Sequence, residues 1–133
     1  MGLLENDNNH WDSFITMKRW LENRNKGKLF QDYFRECGYK KIAIYGAGDI
    51  GRLLYEEVKE SDIEILYFVD RNAEGIRAID DIPVITLQDV SNMENVDVLV
   101  ITPIGNYNEI CRALINFIPE MATISIREAV YEF

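Results

Sequence analysis

The chain has 133 residues, 47% of them hydrophobic, and a net charge of −9 from 14 basic and 23 acidic side chains. That length suits one domain with a proper core, and so acidic a chain lacks the basic face that nucleic acid or an anionic membrane requires. With one histidine and two distant cysteines, Cys37 and Cys111, no metal site is expected. With no leader and no membrane-length apolar run, the expected location is the cytoplasm without membrane insertion.

The charge is uneven. Residues 1–40 carry seven basic and six acidic groups, whereas residues 41–133 carry seven and seventeen. An anionic ligand therefore has to be held locally, by backbone amides and a few arginines.

Residues 1–9 are polar and asparagine-rich and are expected to form a flexible N-terminus. Residues 10–38 form a helical extension and residues 39–133 the main domain. Trp11 to Glu22 reads as a helix with Phe14, Met17, Trp20 and Leu21 on one side. Lys28 to Cys37 reads as a second helix striped by Leu29, Phe30, Tyr33, Phe34 and Cys37, with Gly38 as its stop. These aromatic residues either pack onto the body or form an interface for a second copy or a partner protein.

Ile42 to Tyr45 is an apolar strand that runs into three glycines, Gly46, Gly48 and Gly51, spaced G-x-G-x-x-G. An amphipathic helix, Asp49 to Glu60, follows with Ile50, Leu53, Leu54 and Val58 on one face. In that context the first glycine turns the chain, the second lets a phosphate approach the backbone, and the third lets the helix pack closely. The helix start offers amides and a positive dipole end to a pyrophosphate. A second strand, Ile63 to Val69, ends in Asp70, 19 residues beyond Gly51, where an acid receives ribose hydroxyls. The neighbouring Arg71 suits a 2′-phosphate instead, and Arg52 adds charge beside the loop.

Residues 71–81 read as too short and irregular for a crossover helix. Ile82 to Ile85 is a short third strand, and Thr86 caps a helical turn. Val96 to Ile101 is the most apolar strand and runs into Thr102-Pro103. Asn106 caps a helix to about Phe117, with Ile110, Leu114 and Phe117 inward. Met121 to Ile126 is the last strand and Arg127 to Phe133 a terminal helix.

Alternating strands and helices imply an α/β domain. We expect a Rossmann-like doubly wound parallel sheet in the order 3-2-1-4-5, preceded by a helical pair. Its ligand crevice lies at the carboxyl ends of strands 1 and 4. The expected binding residues are Gly46, Ala47, Gly48, Asp49, Ile50, Gly51, Asp70, Arg71, Thr102 and Pro103, with no catalytic residue assigned.

Four segments in this order, residues 44–54, 68–72, 82–85 and 98–103, carry a resemblance over roughly residues 40–118. The sequence resembles the Rossmann-like N-terminal domain of bacterial polysaccharide-biosynthesis nucleoside-diphosphate-sugar epimerases and dehydratases, and of related sugar acyltransferases. The resemblance implies NAD, a nucleotide sugar or CoA as ligand. It also implies a place in sugar-nucleotide or surface-polysaccharide biosynthesis. The catalytic or repeat domain of those enzymes has no counterpart here. The expected function is thus a non-catalytic or regulatory nucleotide-binding module, with NAD the first choice. The alternatives are a small NAD-dependent oxidoreductase or epimerase completed by oligomerisation, and a structural docking domain with an empty site.

Overall fold

The computed structural model describes the backbone from Gly2 onward and side chains from Asn9 onward; Met1, the first residue of the segment expected to be flexible, lies outside the described residues. Helix α1, Gly2–Asn25, starts well before the Trp11 expected, so residues 2–9 belong to it as well. Its inward side also differs from expectation. Thr16, Trp20 and Asn23 are buried, while Phe14 and Leu21 face outward. Hydrogen bonding selects this face, since Asn23 Nδ2 donates to Val130 O at 2.7 Å and Trp20 Nε1 to Glu57 Oε1 at 2.9 Å.

Helix α2, Phe30–Cys37, ends at Gly38, whose φ of 80° is the left-handed stop read from the sequence. Its aromatic stripe is core. Phe30 meets Trp20, Phe34 and Phe133 at centroid distances of 5.2, 5.6 and 5.0 Å. Glu57 joins this packing: its side chain, only 2% exposed, accepts from Trp20 and from the Phe30 N–H at 2.9 Å and pairs with Arg24 at 3.3 Å.

Six strands build one sheet in the order β3-β4-β2-β1-β5-β6. They are β1 Lys41–Tyr45, β2 Glu64–Val69, β3 Ala78–Ile79, β4 Ile82–Ile85, β5 Val98–Ile101 and β6 Thr123–Ser125. All pairings are parallel except β3 with β4. This order differs from the five-stranded 3-2-1-4-5 arrangement expected, because residues 71–81 hold a short helix α4, Ala73–Ile76, and the antiparallel edge strand β3. Arg77 and Asp80 make the reversals at φ 64° and 52°, so the hairpin has no glycine to announce it.

Alternate strand residues feed two cores, as a period of two requires. Ile42, Ile44, Phe68, Val98 and Val100 pack under α1, α2, helix α3 (Asp49–Val58) and helix α6 (Ile126–Ala129). Ala43, Tyr67, Val69, Leu99 and Ile101 pack under a 3-10 turn, Leu87–Asn92, and helix α5, Tyr107–Ile115. Helices therefore cover both faces, and every residue of β5 is buried. Three helix details differ from the sequence reading. Phe117 lies beyond α5 and is 37% exposed. Neither Thr86 nor Asn106 caps through its side chain, and Thr86 Oγ1 bonds Asp89 Oδ2 at 3.1 Å instead. Helix α6 stops at Ala129, short of the Phe133 expected.

Candidate functional site

The carboxyl ends of β1, β2, β4 and β5 meet at one edge of the sheet. There the chain leaves β1 through Gly46, whose φ is 101° and whose N–H donates to Val69 O at 2.7 Å. A Cβ on Gly46 would sit 2.5 Å from Thr102 Oγ1, and one on Gly51 only 1.9 Å from the Gly46 carbonyl oxygen. These two glycines thus let α3, β5 and the loop touch. Gly48 differs: nothing lies within 4 Å of its Cβ position, and no side chain caps the start of α3. The uncapped first turn leaves amides and the dipole's positive end facing open space.

Asp70 ties the loop to the neighbouring strand. Its Oδ2 accepts from the Ala47 N–H at 2.8 Å and its Oδ1 from the Asn72 N–H at 2.9 Å. On the other side of the same residue, Arg52 Nε donates to Ala47 O at 2.9 Å. Arg52 therefore buttresses the loop. Thr102, 2% exposed, donates to Tyr45 O at 2.7 Å and backs the loop from behind.

A cavity of about 620 Å³ opens at this edge, on the α5 side of the sheet. Of the expected binding residues, Gly46, Asp70, Arg71 and Pro103 line it. Ala47, Gly48, Asp49, Ile50, Gly51 and Thr102 do not. Gly48 and Asp49 are exposed on the adjoining loop, Ile50 is half-buried, and Ala47, Gly51 and Thr102 lie beneath. The remaining walls come from Thr86, Leu87 and Gln88 and from Asn106, Glu109, Ile110 and Ala113.

Tyr45 lies in the floor, where burial pushes its phenol up, Arg71 pulls it back and Asp70 adds to the rise. It is a hydroxyl donor at neutral pH. Asp70 and Glu109 against Arg71 leave the walls with one more negative than positive group. Such a cavity suits an uncharged polar body better than a bare phosphate.

A family model described as C2185-like, N-terminal, matches residues 38–124, the stretch from the α2 stop through most of β6. The chain belongs to the C2185-like N-terminal family. This corrects the resemblance read from the sequence: the match is not to the N-terminal domain of nucleoside-diphosphate-sugar epimerases, dehydratases or sugar acyltransferases. The glycine turn and strand-end acid that suggested those enzymes are short local features, which unrelated α/β domains share. No curated protein matches the chain.

The C2185-like body contributes every lining residue of the cavity, and the helical extension before residue 38 contributes none. Sequence reading missed Gln88 and Glu109 on these walls. A signal for the first was available: β4 is parallel to β2 with Val69 beside Ile85, so residues just past Ile85 must reach the same edge as Asp70. Glu109 follows from Asn106 by one helical turn.

Two polar pairs of the C2185-like domain lie away from the cavity. Tyr107 Oη and Thr123 Oγ1 share a hydrogen bond at 2.8 Å. Tyr55 and Lys59, spaced Tyr-x-x-x-Lys, are bound to Asp80 and Glu56. Among the described residues, no three His, Cys, Asp or Glu side chains could hold a metal ion, and no helix is long and apolar enough to cross a membrane.

Proposed function

We propose that this domain is a Rossmann-like module that binds a nucleotide, with NAD(H) the first choice and a nucleotide sugar or CoA the alternatives. The carrying observation is the open space over Gly48 at the uncapped start of α3, beside a cavity edged by Asp70. The diphosphate takes the amides of the α3 start. A ribose diol reaches Asp70, and the attached base or sugar occupies the cavity between Leu87, Pro103 and Ile110. The net negative walls favour a ligand without a 2′-phosphate, hence NAD(H) over its phosphorylated counterpart. The role is binding or regulatory rather than catalytic.

Thermal melting of the full chain against NAD, NADH, NADP, CoA and UDP- and GDP-sugars tests this. A ligand that binds only the folded state adds about 2.7 kcal/mol at a hundredfold excess over its dissociation constant. NAD or NADH is expected to raise the melting temperature, and Gly48→Val to abolish the rise while lowering the ligand-free melt only by the loss of a glycine cap, about 1 kcal/mol. No shift with any of these ligands would sink the reading.

A further inference from the structure

We infer that the cavity at the carboxyl edge of the sheet selects a nucleobase carrying an exocyclic amine, and that Glu109 and Gln88 make the selection. This inference rests on the nucleotide reading and narrows its ligands: NAD(H), CoA and GDP-sugars carry such a base, and UDP-sugars do not. The cavity is a slot with apolar sides. Leu87, from the 3-10 turn, forms one side, and Ile110 and Ala113, from α5, form the other. Both elements pack on the same face of the sheet, and Tyr45 and Val69, at the ends of β1 and β2, make the floor. Apolar sides with polar side chains at the mouth suit a flat ring whose faces are apolar and whose edge is polar. A sugar carries hydroxyls around its ring and would leave some of them unpaired against Leu87 and Ile110. The base therefore takes the slot, and the sugars lie outside it.

Two polar side chains stand at the mouth, Gln88 just past Leu87 and Glu109 just before Ile110. Both residues are exposed, and among the described residues neither side chain has a hydrogen-bond or ion-pair partner. The adjacent Asp89, by contrast, is already held by Thr86 Oγ1. Glu109 and Ala113 lie one turn apart on α5, so the helix turns its carboxylate and its apolar wall toward the same slot. A carboxylate only accepts, whereas a glutamine amide offers an acceptor and two N–H donors. The pair thus sets an acceptor on one side of the mouth and a donor on the other. Adenine answers with its amine and the ring nitrogen beside it, and guanine with its N–H, its amine and its carbonyl oxygen. Uracil has no amine, and the carbonyls flanking its N–H meet the Glu109 carboxylate with like partial charge. Glu109 also stands in the first turn of α5, where a carboxylate suits the helix dipole. A dipole role alone gives no preference among bases, so the two roles separate by experiment.

Isothermal titration calorimetry of the full chain with ADP, GDP, UDP and inosine diphosphate tests this. The inosine base separates the cases, because it is guanine without the amine, or adenine with a carbonyl in the amine's place. A hydrogen bond to a charged acceptor supports a difference of about ten- to a hundredfold. The tighter of ADP and GDP should exceed inosine diphosphate and UDP by that factor. Glu109→Gln should raise the affinity for inosine diphosphate and UDP by about threefold or more, because its amide can turn an N–H toward a carbonyl. A gain of affinity is a result that neither misfolding nor a lost dipole contact produces. Gln88→Leu should weaken the tighter of ADP and GDP about fivefold with far-UV circular dichroism unchanged. Inosine diphosphate or UDP binding as tightly as ADP and GDP overturns the proposal and leaves the nucleotide reading standing. A preference that survives Glu109→Gln overturns the role of Glu109. Silence of all four while NAD still raises the melting temperature also overturns the proposal, and silence of NAD as well removes both readings.

Discussion

Replacing Gly51 and Gly48 separately by alanine distinguishes a glycine that the fold needs from one that the fold can spare. At Gly51 the new Cβ would stand 1.9 Å from the Gly46 carbonyl oxygen, far inside the 3.0 Å that real Cβ atoms keep. The obstacle is backbone, so the first turn of α3 must back away by about 1 Å, loosening contacts beneath it; such overpacking costs about 1–3 kcal/mol. Alanine's better helix propensity returns at most about 1 kcal/mol. The net loss of about 1–2 kcal/mol lowers the melting temperature of a chain this size by about 3–8 °C. At Gly48 the Cβ meets nothing, and φ of −87° with ψ of −161° is backbone that alanine accepts. Only the poorer capping preference of alanine remains, a few tenths of a kcal/mol to about 1 kcal/mol. Urea and thermal melts of both variants measure the difference. If Gly51→Ala melts with the parent, or Gly48→Ala falls as far as Gly51→Ala, the contacts assigned to this loop are wrong.

Glu57→Ala should cost about 3 kcal/mol in urea denaturation, because it strands the Trp20 and Phe30 donors in a buried site. Glu57→Gln should recover part of that loss, because its amide oxygen still accepts. Burial pushes the Tyr67 phenol up to about 12, and the bond to Asp80 together with burial does the same for Tyr55. Both groups are raised on folding, so their stabilisation is complete below pH 10 and lost as pH rises to about 12. Burial raises the Tyr33 phenol as well, so ultraviolet titration should show at least three late phenols, and Tyr67→Phe should reduce the alkaline loss. The Lys41 and Lys40 amides hold the Asp97 carboxyl below its ordinary value, with burial opposing them. That stabilisation is present above the ordinary carboxylate range and disappears as pH falls through the lowered value. Asp97→Asn should therefore flatten the acid limb of a stability–pH profile.

The segment from Lys41 to Asp70 was legible because its signals are local: an apolar strand, a glycine turn, an amphipathic helix and a second strand stand in unbroken order. The β3–β4 hairpin was not, because Arg77 and Asp80 adopt left-handed backbone that the sequence marks with glycine elsewhere. On α1, periodicity offered two stripes. The apolar one suggested the core, but Thr16 and Asn23 lie inside because Asp12 O and Val130 O accept their hydrogen bonds. The near wall of the cavity, Gly46 with Asp70 and Arg71, could be placed from strand ends alone. Gln88 and Glu109 reach it only through the packing of β4 beside β2 and of α5 across the sheet.

The double engagement of Asp70 has a mechanical consequence. An ionised carboxylate has about four lone-pair sites, and the Ala47 and Asn72 amides use two of them. A hydroxyl arriving from solvent shares the remaining sites instead of displacing a bond already made. The acceptor is thus held in place before any visitor comes, and little freedom is left to lose at that point. The same carboxylate splices the ends of two neighbouring strands, so a pull on it is felt at once by the glycine loop and by the turn that enters α4. Exchange of the Ala47 and Asn72 amides with heavy water should slow together when the crevice fills.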